Sequence, residues 1–252
     1  MHSLPYSIIQ SLPAESLVCI LKPVTTIASN LDRLYERVRS SAEKCGRDPD
    51  EIRVLAVSKT FSSSEIIEAY CWGQRLFGEN RVQEAQKKIA ELKGKTIEWH
   101  LIGHLQSNKA RLAAQIFDVV QSIDSTRLAI RLDRICQDLG RKLRVYIQLN
   151  LAGESQKSGI DPQELPELVD SLDTTEALKL EGLMTIPPYD ENPENTRPYF
   201  RRLREILEEI NRGRQQPLTE LSMGMSHDFE VAIEEGATMI RVGTAIFGQR
   251  AG

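Results

Sequence analysis

The sequence predicts an α/β protein: a single TIM-type (β/α)8 barrel with an extra N-terminal helix. Three observations predict it. From residue 27 onward, apolar runs of strand length alternate with stretches of helical period. Eight such runs fit into about 225 residues, the size of one barrel. Polar residues gather where the runs end, as they do at the C-terminal ends of barrel strands. A doubly wound open sheet is the runner-up, but no GxGxxG follows the first strand.

The elements follow in order. Residues 1–26 contain Pro5, Pro13 and Pro23 and little periodicity, and read as a loosely structured N-terminal extension. Leu17 to Leu21 is apolar, but Glu15 interrupts the stretch and no basic leader precedes it, so no signal peptide is predicted. Ile27, Leu31, Leu34, Val38 and Ala42 form one helical stripe, with Thr26 as its cap. Strands are expected near 52–59, 76–80, 98–103, 118–123, 144–151, 178–186, 219–224 and 239–247. Between them, Ser62 and Glu65 form a capping box. Val82, Ala85, Ile89 and Leu92 form a stripe that Gly94 ends. Ser125 precedes the stripe Leu128, Leu132, Ile135 and Leu139, and Asp161-Pro162 reads as a cap with proline at the first helical position. Leu203, Ile206, Leu207 and Ile210 mark a longer helix, and Ser226 is expected to open a short one before Phe229. Residues 187–198 form a polar, proline-rich loop, read as a long surface connection. The barrel domain is therefore 27–252.

Composition narrows the function classes. The 252 residues carry 32 basic and 36 acidic side chains, which disfavours nucleic acid as a partner. No apolar stretch reaches about 18 residues, so no helix is expected to span a membrane. Cys19, Cys45, Cys71 and Cys136 lack CxxC or metal-like spacing and read as thiols of a cytoplasmic protein. No metal site is expected, because only His100 and His104 are close together and neither is on a helix.

Chemistry should gather at the strand ends. Val54 to Val57 is apolar on both faces, as a strand of a covered parallel sheet is, and Ser58 and Lys59 follow it. Partial burial lowers a lysine's pKa and frees its amine to attack carbonyls, the chemistry of the Schiff-base lysines that hold pyridoxal 5'-phosphate. A strand-end lysine that snorkels to water is the plain alternative. The seventh and eighth ends supply Ser222-Met223-Gly224-Met225-Ser226 and Gly243-Thr244, whose amides and hydroxyls suit a phosphate dianion. Alternatively, these residues only turn and cap the chain. Arg241 reads either as an ion-pair partner or as a cation facing the cofactor's pyridine nitrogen. In the second case it would keep that nitrogen unprotonated and the ring a weak electron sink.

The strings VLAVSKT (54–60), FGENRVQEA (77–85), WHLIGHLQSNK (99–109), GESQKSGI (153–160), GLMTIPP (182–188) and LSMGMSHDFEVAIEEGATMIRVGTAIFG (221–248) resemble the pyridoxal phosphate homeostasis protein family. That family is similar to the barrel domain of alanine racemase without its second domain. The resemblance implies pyridoxal 5'-phosphate as cofactor and Lys59 as the residue of its internal aldimine. It implies that Ser222, Gly224, Gly243 and Thr244 surround the phosphate and that Arg241 faces the ring nitrogen. Asn80 and His104 would lie near the cofactor, and Met223 would pack on the ring or fill the barrel top. Glu154 and Lys157 read as a loop ion pair.

The function expected is reversible holding and buffering of the cofactor, with indirect effects on amino acids and no catalytic residues. Apoenzymes that use the cofactor are the expected recipients, and a monomer is the expected state. An amino-acid racemase is the alternative, and a sugar-phosphate enzyme using a lysine Schiff base is a third reading. Racemisation needs a second base. Tyr70, Tyr146 and Tyr189 fall in a helix, early in a strand and in the proline-rich loop, none at a strand end.

Overall fold

The computed structural model describes residues 25–153 and 158–249. The expectations for residues 1–24 and for Glu154 and Lys157 lie outside the described residues. The eight runs form β1 (Arg53–Val57), β2 (Leu76–Glu79), β3 (Glu98–Leu101), β4 (Val119–Ile123), β5 (Leu143–Leu149), β6 (Leu178–Thr185), β7 (Glu220–Ser222) and β8 (Met239–Val242). They pair in parallel, in sequence order, into a closed barrel. β1 closes on β8 with Arg53 opposite Met239 and Leu55 opposite Arg241.

An extra helix, α1 (Thr26–Lys44), precedes the barrel. The helices between strands are α2 (Ser63–Trp72), α3 (Val82–Glu91), α4 (Ala110–Ile116), α5 (Thr126–Asp138), α6 (Leu165–Asp173), α7 (Arg197–Asn211) and α8 (Phe229–Glu234), and α9 (Thr244–Phe247) follows β8. Their apolar stripes cover the outward strand residues, among them Val54, Ala56, Phe77, Leu101 and Ile240. The predicted capping box of Ser62 and Glu65 starts α2, and Ser125 caps α5.

The two-residue alternation of each strand sends the other face inward. Leu55, Val57, Ile102 and Met239 form one interior cluster, and Val119, Tyr146 and Met184 another. Toward the N-terminal end of the barrel the interior becomes charged. Arg53 pairs with Glu220 and donates to the Tyr146 hydroxyl at 2.9 Å, while Arg144 pairs with Glu98 at 2.8 Å. Desolvation raises the Tyr146 phenol well above its ordinary range, so it stays neutral and donates.

Four local expectations need correction. Thr25, not Thr26, caps α1, by accepting from the Ala28 amide at 3.1 Å. The run expected as strand 239–247 is β8 followed by the helix α9, because Gly243 breaks the extended run. Ser226 does not open α8. The helix starts at Phe229, and Ser226 Oγ instead accepts from the Ala245 amide at 3.3 Å, which ties the β7 loop to α9. Finally, Cys71 is disulfide-bonded, while Cys45 and Cys136 are free thiols.

Candidate functional site

A cavity of about 720 Å³ opens at the C-terminal ends of the strands. Lys59, Asn80, His104, Arg241, Gly243 and Thr244 all line it, together with Met225, Ser226, His227, Ile186 and Tyr189. Six sequence-predicted residues from four strand ends thus meet in one space.

Lys59 arrives there by alternation. Leu55 and Val57 face the interior, so the next inward position is 59. A turn then holds it: the Phe61 amide donates to the Ser58 carbonyl at 3.1 Å, and Thr60 takes φ 72°, a costly backbone for a β-branched residue. Glu84 fixes that turn by accepting from the Thr60 amide at 2.6 Å. Behind it, Lys88 Nζ donates to the Ser58 carbonyl, Glu79 Oε1 and Glu84 Oε1 at 2.8, 2.8 and 2.7 Å. Ser58 Oγ donates to Glu79 Oε1 at 2.6 Å. Burial still holds the Glu79 carboxyl above its ordinary range, because these donors do not fully offset desolvation.

Asn80 and His104 form the next wall. The ends of β2 and β3 approach so closely that a Cβ on Gly103 would lie 2.2 Å from the Asn80 carbonyl oxygen. Asp124 orients the half-exposed His104, with Nδ1 and Oδ2 3.0 Å apart.

Arg241 is buried at the cavity floor. It donates from Nη1 to Ser222 Oγ and from Nη2 to the Thr185 carbonyl, both at 2.8 Å. Burial lowers its pKa to about 10, which leaves it cationic at neutral pH. The ion-pair reading of Arg241 is thereby narrowed: its described hydrogen bonds go to a hydroxyl and a carbonyl, and the Asp228 carboxylate acts on it through charge alone.

Three predicted residues do not line the cavity. The Ser222 hydroxyl is spent between Arg241 and Gln121, to which it donates at 2.6 Å. Met223 points outward into the layer between strands and helices, so Met225 supplies the methionine of the mouth. Gly224 shapes the turn: its φ is 90°, and a Cβ there would meet the Ala232 Cβ at 2.6 Å. The turn is fixed by fully buried Asp228, whose Oδ1 accepts from the Met225 amide at 2.6 Å.

Sequence reasoning missed His227 and undervalued Tyr189. Their rings lie 4.8 Å apart at the cavity rim, so the proline-rich loop after β6 reaches the site rather than serving only as a connection. An aromatic two residues past Pro187 was the available signal.

The residues present suit a phosphorylated aldehyde of an aromatic base. Lys59 offers an amine. Ser226, Gly243 and Thr244 offer a hydroxyl and amides at one edge, and a Cβ on Gly243 would crowd the Val57 carbonyl at 3.2 Å. Arg241 offers a cationic donor on the floor. No helix of the described residues is long and apolar enough to cross a membrane.

Comparison with known proteins agrees with this chemistry. Residues 29–251 match the family model for the alanine racemase N-terminal domain. The chain is 44% identical over 220 residues to the pyridoxal phosphate homeostasis protein of Aquifex aeolicus, covering 87% of this chain and 96% of that protein. It is 44% identical over 227 residues to the protein of the same name from Pseudomonas aeruginosa, covering 90% and 97%. Among solved structures, PipY of Synechococcus elongatus PCC7942 with pyridoxal phosphate bound superposes with a TM-score of 0.79 at 43% identity, over 88% of this chain and all of that one. Alanine racemase of Clostridium difficile shares the fold at 16% identity and a TM-score of 0.67, and 58% of that chain is covered. The chain belongs to the pyridoxal phosphate homeostasis protein family, built on the N-terminal domain of the alanine racemase fold.

Proposed function

We propose that this protein binds pyridoxal 5'-phosphate, holds it as a Schiff base on Lys59 and releases it to apoenzymes that need it. The observation that carries this reading is the meeting of Lys59, Arg241 and the Ser226, Gly243 and Thr244 edge in one cavity. The cofactor's aldehyde carbon would bond to Lys59 Nζ with loss of water, and water would reverse the bond on release. Ser226, Gly243 and Thr244 would receive the phosphate, with Asn80 and His104 beside the ring. Arg241 would face the pyridine nitrogen and keep it unprotonated. Ser222 and Gly224 would support the phosphate edge from behind, and Met223 would fill the barrel wall.

Buffering rather than catalysis is favoured by the open mouth. When bound, the cofactor supplies an electron sink for carbanions, but a carbanion needs a dry site and two placed bases. One observation favours racemisation of amino acids as a second reading: Tyr189 and His227 stand at the rim. Tyr189 is 74% exposed, however, which is a poor setting for guarding a proton. We place the protein in the cytoplasm as a monomer, with the barrel domain at 27–252 and residues 1–26 as the extension before it.

Borohydride reduction of the protein incubated with pyridoxal phosphate should fix the cofactor on the peptide containing Lys59. Lys59→Ala should abolish fixation yet retain weaker, phosphate-dependent binding. A wild-type protein that stays colourless refutes the reading. Rapid α-proton exchange of an amino acid, lost in Lys59→Ala, would favour the racemase.

A further inference from the structure

A single chain of hydrogen bonds, buried except at its Glu98 end, runs from the cavity floor down the barrel interior. Arg241 Nη1 donates to Ser222 Oγ at 2.8 Å, and Ser222 Oγ donates to Gln121 Oε1 at 2.6 Å. Gln121 Nε2 lies 2.8 Å from His100 Nδ1, and His100 Nε2 lies 2.7 Å from Glu98 Oε1. Ser222, Gln121 and His100 are fully buried, and none of them lines the cavity.

The proton positions follow from the ends. Arg241 donates only, and a carboxylate accepts only. Ser222 therefore accepts from Arg241 and passes its own proton to Gln121. The Gln121 amide nitrogen then faces His100 Nδ1, which must be the acceptor, and His100 Nε2–H donates to Glu98. Reversing the amide would put its oxygen against His100 Nδ1 and demand a proton there. His100 would then be cationic, since Nε2–H already serves Glu98. Burial opposes that, lowering the His100 pKa, and the second amide proton of Gln121 would lose Met239 Sδ, 3.1 Å away. Every donor in the neutral arrangement points away from Arg241, so the chain has one polarity and its members reinforce one another.

We propose that Gln121 and His100 are positioning residues for Arg241: through Ser222 they fix the guanidinium against the cavity floor and thereby set the electronic state of the bound ring. This rests on the cofactor reading above. Thr185 holds the other guanidinium nitrogen, so loss of the chain should loosen Arg241 rather than expel it.

Gln121→Met keeps the length of the side chain and removes its amide. Two measurements test it against wild type. In the ligand-free protein, hydrogen exchange of the Arg241 guanidinium, followed by 15N NMR, should be at least about tenfold faster in the variant, because a buried bonded group becomes mobile. With pyridoxal phosphate bound, the visible absorption maximum should shift and Kd should rise about tenfold, the equivalent of one buried hydrogen bond. A folded Gln121→Met with wild-type exchange, absorption maximum and affinity overturns the proposal. If that variant does not fold, Ser222→Ala, which removes one hydroxyl, is judged by the same criteria. A wild type that never binds pyridoxal phosphate refutes the cofactor reading instead, and the exchange measurement keeps the two failures apart.

Discussion

Lys88 shows how much of the site is held by residues that never touch it. Its ammonium binds one carbonyl and two carboxylates, and Glu79 is wholly buried. Lys88→Met would leave the Glu79 charge without its cation, a change that costs about 3–5 kcal/mol when the site is dry. The pH dependence has a definite sign. A carboxyl whose folded-state pKa is raised adds stability below its unfolded pKa and loses it as the pH climbs through the folded value. Glu79 is already raised, and without Lys88 it rises further. The deficit of Lys88→Met in urea melts should therefore be larger at about pH 8 than at about pH 5, and equal deficits would exclude the ion pair as the cause. Glu98 runs the other way. The His100 hydrogen bond, aided by Arg144, lowers it to about 2, so its contribution is present above about pH 4.5 and fades as the pH falls toward 2. Glu98→Gln should flatten that acid limb. Lys59 and Arg241 are legible in the sequence because alternation along one strand decides where each side chain points. Lys88 and Gln121 are not, because, apart from Glu84 four residues before Lys88, their partners lie 9 to 118 residues away.

At the scale of elements, the strands were readable to within a few residues except where two elements share one apolar run. Thr244 to Phe247 continues the apolarity of β8, yet it is helical, and only the break at Gly243 separates them. The Ser226 expectation failed for a related reason: serine serves equally as a cap or as an acceptor from a neighbouring loop, and here the Ala245 amide claims it. What no periodicity reveals is how closely strand ends approach. Gly103 sits where a Cβ would lie 2.2 Å from a backbone oxygen of β2's end, and backbone cannot rotate aside as a side chain can. Gly103→Ala should cost about 1–3 kcal/mol by overpacking. It should also weaken pyridoxal phosphate binding, since Asn80 and His104 flank the displaced joint. A variant with reduced thermal stability but unchanged affinity would show that the joint supports the barrel and not the site.

Across the whole molecule, α1 joins the first and last units of the barrel. It packs on α2, α8 and α9. Asn30 Nδ2 donates to the Ile246 carbonyl at 2.8 Å, and Arg47, just past the helix, reaches the Ile233 and Ala237 carbonyls at 2.9 and 2.8 Å. Ile27, Leu31, Leu34 and Val38 are buried beneath it. At about 2 kcal/mol each, an upper figure given a compact unfolded chain, these four contribute up to ~8 kcal/mol. That is comparable to the whole stability of a typical domain. Two truncations follow from this comparison. A protein beginning at Thr25, kept under reducing conditions because it leaves Cys71 as a thiol, keeps the cap and the stripe, and should unfold in one transition and still take up pyridoxal phosphate. At a ligand concentration of 100 times Kd, its stability should rise by about 2.7 kcal/mol, as for any ligand that binds only the folded state. A protein beginning at Asp48 loses the strap across the β1–β8 seam and should not fold. If the shorter deletion alone abolished folding or binding, residues 1–24 would have to be counted as part of the barrel domain, and the boundary proposed for it would be wrong.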